Sequence, residues 1–348
     1  MRNKILVVDD MDMNRDLLAD ILEDEYSVIA ADNGCEALKV VRENKDEIAA
    51  ILLDLVMPGM SGFEVLHELK NSGYMTDIPV LVISTDESLS SEKECFEAGV
   101  SDFIHKPFDE KLVRTRVNNI VDLYLYKQHL EETVAEQTKQ LNERNINIID
   151  FIGSVVETRD LESGEHIQRV KEYTKVLATS VASLYPEYSL SEHDISVITQ
   201  ASALHDVGKI AIPDSILLKP GKLTPEEYEK MKEHSARGAE LIEGSKGMWD
   251  EEYSKVTYDI CRYHHERYDG KGYPDGLVGE EIPISAQIVS LADVYDALIS
   301  ERCYKDSFSK RQAFDMIVGG ECGMFSPKIL TCFIEKADVL EEIADRIV

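Results

Sequence analysis

Basic residues are the first shortage. The chain carries 37 Lys and Arg against 67 Asp and Glu in 348 residues, a formal charge of −30. That balance speaks against nucleic acid as a partner, because a phosphate backbone is met by basic stripes, and against an anionic membrane surface. It leaves room for a small anionic ligand held by a few local cations or metals. Long apolar runs are missing too, and the opening MRNKILVVDDMD lacks the pattern of a secretory signal. Both point to a cytoplasmic protein without membrane insertion. The six cysteines (Cys35, Cys95, Cys261, Cys303, Cys322 and Cys332) include no CxxC pair. In a long chain without a signal they read as reduced thiols rather than disulfides. Internal repeats and low-complexity tracts are also absent.

What is present is enough for two or three domains, with 43% hydrophobic residues to build their cores. The first part alternates apolar strands, KILVVDD, AAILLDL, IPVLVIS and DFIHKPF, with helical stretches. Continuous apolar strands separated by helices predict a doubly wound α/β domain, a parallel sheet covered on both faces, over residues 1–123. A polar run without glycine or proline follows, predicted as a linker helix over 124–146. Leu123, Leu130, Val134, Leu141 and Ile148 fall at near-heptad spacing, interrupted by Lys127, Gln137 and Arg144. The pattern fits a coiled coil with a second copy, giving a homodimer, and equally a single solvated helix. Residues 147–348 read as all-helical. In this part, Thr224, Pro225 and Glu227 mark a helix start with a capping box.

Three carboxylates, Asp9, Asp10 and Asp54, stand at the ends of apolar strands. Ligands bind at the carboxyl ends of strands in doubly wound sheets, and converging carboxylates call for a hard cation such as Mg²⁺. Ser84 ends another strand and Lys106 precedes Pro107 after the last. A hydroxyl and an ammonium beside one carboxylate fit recognition of a phosphoryl group added to it. With VVDD, LLDLVMPGMSGFE, the strand-end IS and DFIHKPF, residues 1–122 resemble the receiver domain of two-component response regulators. The resemblance implies that Asp54 is the phosphoacceptor. It makes Asp9, Asp10, Asp54 and the carbonyl of Val56 the Mg²⁺ ligands, and Ser84, Phe103 and Lys106 the switch residues, with a cis Lys106–Pro107 bond. A cognate sensor histidine kinase is the implied partner.

Five of the nine histidines fall in suggestive places: His166, His205, His234, His264 and His265. In ALHDVGK, His205 stands beside Asp206, whose carboxylate can bridge two ions. Glu162 precedes His166 by one helical turn, so both share a face if the segment is helical. Asp293 lies inside an apolar helical stretch, a costly place for a carboxylate that is neither paired nor metal-bound. Mixed imidazole and carboxylate ligands suit iron, manganese or zinc. One metal needs only part of this set, and the surplus points to two or three ions. Adjacent His264 and His265 then serve two ions, or leave together from the end of a distorted helix.

The ordered motifs HDVGK, KPGKLTPEEYEKMKEH, HHERYDGKGYPDGLVGEEIP and LADVYDAL strongly resemble those of the HD-GYP phosphodiesterases, over about residues 147–340. That resemblance implies an all-helical fold and hydrolysis of cyclic di-GMP to pGpG or GMP. It makes His166, His205, Asp206, His234, His264, His265 and Asp293 metal ligands, with iron preferred, then manganese, then zinc. Glu162 matches the subgroup that holds three metals. Asp206 and Lys209 are the implied catalytic pair, Lys209 also contacting the substrate phosphate. The rim residues Arg267, Lys271, Gly272, Tyr273 and Pro274, together with Arg302, are expected to meet substrate. Diguanylate cyclase proteins are further candidate partners of the GYP loop. Cys303 and Ser326 depart from the usual residues, at positions that are not ligands. Taken together, a response regulator hydrolysing cyclic di-GMP under control of Asp54 phosphorylation is expected. The alternatives are a dinucleotide-binding or protein-docking adaptor with little turnover, and a phosphodiesterase for another cyclic dinucleotide.

Overall fold

The computed structural model describes residues 2–84, 95–159, 164–245, 247–300 and 307–347. The chain divides into two compact units, 1–139 and 140–348.

In the first unit five strands form one parallel sheet. They are β1 (Lys4–Val8), β2 (Ser27–Ala31), β3 (Ile48–Asp54), β4 (Val80–Ser84) and β5 (Asp102–His105), in the order β2-β1-β3-β4-β5. Successive side chains of a strand face opposite ways, so a sheet covered on both sides needs apolar residues at every position. Leu6, Val8, Ile51 and Leu53 face a core shared with Val41, Val65 and Leu69. Ile5, Val7, Leu52 and Ile83 face the opposite core, with Leu18, Leu22, Val113 and Val117. The expected doubly wound sheet is thus observed. Its connections reverse direction between β1 and β3, which opens a crevice at the carboxyl ends of those two strands.

The predicted linker is part of a longer element. One helix of 50 residues runs over Glu110–Arg159, because no proline interrupts it. Val113, Val117 and Val121 are buried at its start, and Ile149 and Val156 near its end. Between them Leu123, Leu130, Val134, Leu141 and Ile148 are all about half exposed.

The second unit is helical, with no strand among the described residues beyond an isolated bridge between Asp269 and Val278. One core joins Val170, Tyr173 and Leu177 of helix Gly164–Leu184 to Ile288, Leu291 and Tyr295 of helix Ile284–Ile299. A second joins Ile149, Ile198, Leu204, Ile242 and Ile260. Helix Pro225–Gly244 starts as expected: Thr224 and Glu227 form a capping box, with Pro225 in the first turn. No disulfide joins the five described cysteines, and Cys303 lies outside the described residues. No described helix is long and apolar enough to cross a membrane.

Candidate active site

In the first unit, Asp9 follows β1 and Asp54 ends β3, so both sit at the crevice. Asp9, Asp10 and Asp54 bring carboxylate oxygens within 4.8 Å of one another. Lys106 Nζ bridges two of them, 2.8 Å from Asp9 Oδ2 and 2.5 Å from Asp54 Oδ2. Asp54 also accepts the Val56 amide at 3.0 Å. Burial raises the Asp54 carboxyl above its usual range despite Lys106 and that amide. At Asp9 burial acts the same way, but hydrogen bonds from Lys106, Asn14 and Met11 outweigh it and hold the group low. Ser84 is buried at the end of β4, where its carbonyl accepts the Lys106 amide. Phe103 is turned inward, edge-on to Phe96. The Lys106–Pro107 bond is cis, as expected.

In the second unit, five separate elements deliver the histidines and acids. Helix Gly164–Leu184 carries His166, and helix Pro225–Gly244 carries His234. The tight turn after helix Glu192–Ala201 carries His205 and Asp206. Helix Glu251–Tyr263 ends immediately before His264, so His264 caps the helix and His265 lies beyond it. This explains how adjacent histidines converge: the chain leaves the helix between them. Helix Ile284–Ile299 carries Asp293.

Three of these imidazoles are held by the same device. Nδ1 of His205 lies 2.9 Å from the Ser202 carbonyl, that of His234 2.7 Å from the Met231 carbonyl, and that of His264 2.9 Å from the Ile260 carbonyl. A carbonyl only accepts, so each Nδ1 carries the proton and each Nε2 presents a lone pair. Those three Nε2 atoms and Asp206 Oδ1 are buried and make no hydrogen bond. A buried lone pair aimed at others is costly unless a cation joins them.

Asp206 stands between two groups of donors. Its Oδ1 lies 3.1 Å from His234 Nε2 and 3.5 Å from His264 Nε2, and its Oδ2 lies 3.4 Å from His205 Nε2. Asp293 Oδ1 lies 3.8 Å from His166 Nε2 and 3.7 Å from His205 Nε2. Asp206, His234, His264 and His265 offer ligand atoms within 4.8 Å of one another, as do Glu157, His166 and His205. Two neighbouring sets of nitrogen and oxygen donors fit divalent ions of the borderline kind. Lys209 Nζ lies 2.8 Å from Asp206 Oδ2. Burial alone would raise the Asp206 carboxyl, but the Lys209 ammonium and the flanking His205 and His234 imidazoles hold it well below its usual range. At His265 burial, with His264 and His234 adding to it, pushes the imidazole well below its usual range and keeps it neutral.

The loop after His265 is shaped by an acid that sequence reasoning passed over. Glu266 is buried, and its carboxylate accepts the backbone amides of Asp275, Gly276 and Leu277 at 2.8, 2.9 and 3.1 Å. A side chain at Gly272 would collide with Glu266 and the Arg267 amide, which explains a glycine there. Tyr273 lays its ring 4.7 Å from that of His265, and Tyr273–Pro274 is cis. Arg267 packs over Phe325 and donates to Ser290 Oγ at 2.8 Å, so its guanidinium is engaged within the fold. Lys271 is exposed and paired with Asp269. Glu162 and Arg302 lie outside the described residues.

Two more acids were missed. Asp296, one helical turn after Asp293, is buried against His166 and Arg169, and the cost argument applied to Asp293 covers it equally. Glu157, which follows Val155 and Val156 near the end of the long helix, is buried beside His166 and His205.

Fold and site together define a phosphoryl-accepting receiver joined to a helical domain with a buried histidine–aspartate centre. Residues 5–118 match the response regulator receiver domain and residues 162–327 match the HD domain. The chain is 34% identical to the cyclic di-GMP phosphodiesterase response regulator RpfG of Xanthomonas campestris, over 97% of this chain and 89% of that protein. It is 33% identical to a cyclic di-GMP phosphodiesterase of Thermotoga maritima, over 98% of this chain and 92% of that protein. The chain belongs to the family of response regulators that couple a receiver domain to an HD-GYP domain.

Proposed function

We propose that the protein is a cytoplasmic two-component response regulator that hydrolyses cyclic di-GMP to pGpG or GMP, under control of phosphorylation at Asp54 by a sensor histidine kinase. The observation that carries the reading is Asp206, which turns one oxygen to His234 and His264 and the other to His205 and Lys209. The relatives' names supply the substrate class.

Two or three divalent ions, iron before manganese before zinc, are assigned to His166, His205, Asp206, His234, His264, His265 and Asp293, with Glu162 for a third. Bound there, such ions supply a nucleophile at neutral pH and a sink for charge on the phosphoryl oxygens. The chain's own groups do the rest. The carbonyls of Ser202, Met231 and Ile260 hold three imidazoles in one tautomer. Lys209 presents an ammonium beside Asp206 for a phosphate oxygen. Tyr273, whose ring lies 4.7 Å from that of His265, offers a face to a base, Arg267 and Lys271 locally offset the acidic surface, and Arg302 would help hold a phosphate. In the receiver, a phosphoryl group on Asp54 would draw on Mg²⁺ at Asp9, Asp10 and the Val56 carbonyl, with Ser84, Lys106 and Phe103 answering the new charge. We assign 1–123 to the receiver, 124–146 to a linker and 147–348 to the HD-GYP domain. The exposed seam from Leu123 to Ile148 supports a homodimer through that linker, and the GYP loop is a candidate surface for diguanylate cyclase proteins.

The test is anaerobic preparation with iron or manganese, then turnover of cyclic di-GMP with product analysis, with and without phosphoryl transfer to Asp54. Hydrolysis that responds to Asp54, and loses that response in Asp54→Ala, is expected. Tight binding without turnover at full metal loading would instead identify an adaptor.

A further inference from the structure

The last residue of helix Glu110–Arg159 uses its whole side chain on one turn of the second unit. A guanidinium has five N–H donors. Nε of Arg159 donates to Asp214 Oδ1 at 3.1 Å, and one terminal nitrogen donates to the carbonyls of Lys209 and Ile210 at 3.0 and 2.9 Å. The other donates to the Ile212 carbonyl at 2.8 Å and to Asp214 Oδ1 at 2.6 Å. These acceptors belong to the tight turn Val207–Ala211 and its exit, whose carbonyls have no helix to continue into. Asp206 opens that turn and Lys209 lies inside it.

The same helix also presses on the other flank of the His205–Asp206 pair. A side chain at Gly153 would come within 2.4 Å of the Ala203 carbonyl, so the helix backbone lies directly against that residue. Ile149 shares a core with Ala203 and Leu204. Between the two contacts, Glu157 brings its carboxylate beside His166 and His205. A shift or rotation of this helix end therefore pulls on both sides of His205 and Asp206 at once. The helix begins at Glu110, within the unit that holds Asp54.

We propose that Arg159 is a positioning residue, which fixes the turn bearing Asp206 and Lys209 to the end of the helix that starts in the receiver, and so carries the phosphorylation state to the site. The inference rests on the proposed control of hydrolysis through Asp54. Lysine at this position keeps the charge but has neither the planar fork nor enough donors to hold four acceptor groups.

The experiment compares the full-length, metal-loaded protein with Arg159→Lys and Arg159→Ala. It measures kcat and KM for cyclic di-GMP before and after beryllofluoride treatment of the receiver, and metals per chain by elemental analysis. In Arg159→Lys, unchanged metal content is expected, and the ratio of treated to untreated kcat moves toward one, by about twofold to thirtyfold relative to the original protein. A residue that merely supports the fold would lower both rates and leave their ratio alone. Arg159→Lys with the original ratio overturns the inference while leaving Asp54 control standing, and so does loss of metal together with activity. An original protein whose rate ignores beryllofluoride refutes Asp54 control itself, and the inference with it. If Arg159→Ala fails to fold, Arg159→Lys and Asp214→Asn, which weakens the same clamp at an exposed acceptor, decide the matter by the same ratio.

Discussion

His166 donates its Nδ1–H to Asp296 Oδ2 at 2.8 Å. Asp296 is completely buried and also accepts from Nε of Arg169 at 2.6 Å and from Ser300 Oγ at 3.1 Å. Burial works against its charge, but His166 and Arg169 hold the carboxyl below its usual range. A carboxylate behind an imidazole fixes the tautomer and makes the other nitrogen a better donor. Asp296 thus aims His166 Nε2 toward Asp293. Asp296→Ala should weaken metal binding or turnover about 10-fold to 100-fold, the usual cost of losing such support. Metal titration followed by elemental analysis checks this, and full occupancy at the original metal concentration would count against it.

Asp206 has no substitute among the described residues for facing both donor groups. Asp206→Asn removes a negative charge and one shared oxygen acceptor while keeping the shape. Turnover should fall by more than about 100-fold, beyond the cost of an outer partner, and metals per chain should drop. A variant with near-original kcat would remove Asp206 from the centre of the site.

Glu266→Ala should loosen the loop without touching a ligand. Its carboxylate serves three part-buried backbone amides, and a donor left alone costs about 1–3 kcal/mol where water does not replace the acceptor. A stability loss of at least about 2 kcal/mol is expected in denaturant unfolding of the second unit. KM should rise more than kcat falls, because Tyr273 and its neighbours lose their frame. Glu266→Gln, which keeps one acceptor oxygen, should be milder.

Chelation should lower the melting temperature of the second unit, and added metal should restore it. Ligand bound only to the folded state adds about 2.7 kcal/mol at a hundred times its dissociation constant. Protons compete with the metal for imidazole nitrogen, so the restoring metal concentration should rise as pH falls. Differential scanning calorimetry across a pH series reads both effects.

The seam of the long helix predicts an assembly. Leu130 and Leu141, 49% and 58% exposed, lie on the face through which we propose that a second copy packs. Leu130→Asp with Leu141→Asp should convert a dimer to a monomer in sedimentation velocity, while the metal content of the second unit stays the same. A monomer before substitution would show the seam to be merely solvated.

Much of this was open to reading along the chain. Apolar runs without alternation reported a sheet covered on both faces, because each strand residue meets a core on one side or the other. Thr224, Pro225 and Glu227 reported a helix start because capping is a contact between near neighbours. The end of the long helix was not legible in the same way. A boundary at 123 and a linker helix over 124–146 were expected, although one continuous helix runs over Glu110–Arg159.

The sequence by itself determined the residue types: enough imidazoles and carboxylates for a metal centre, and strand-end acids for a phosphoryl switch. Their local spacing also determined the helices and strands that carry them. Only the tertiary structure decided that Asp206 faces His234 and His264 with one oxygen and His205 with the other. It likewise decided that Asp296 backs His166, that Glu266 shapes the loop, and that Arg159 grips the turn around Lys209. The physical reason is range. Helix periodicity and capping are set by residues within a turn or two, whereas most of these distances join groups on separate elements, and they depend on how whole helices and loops pack.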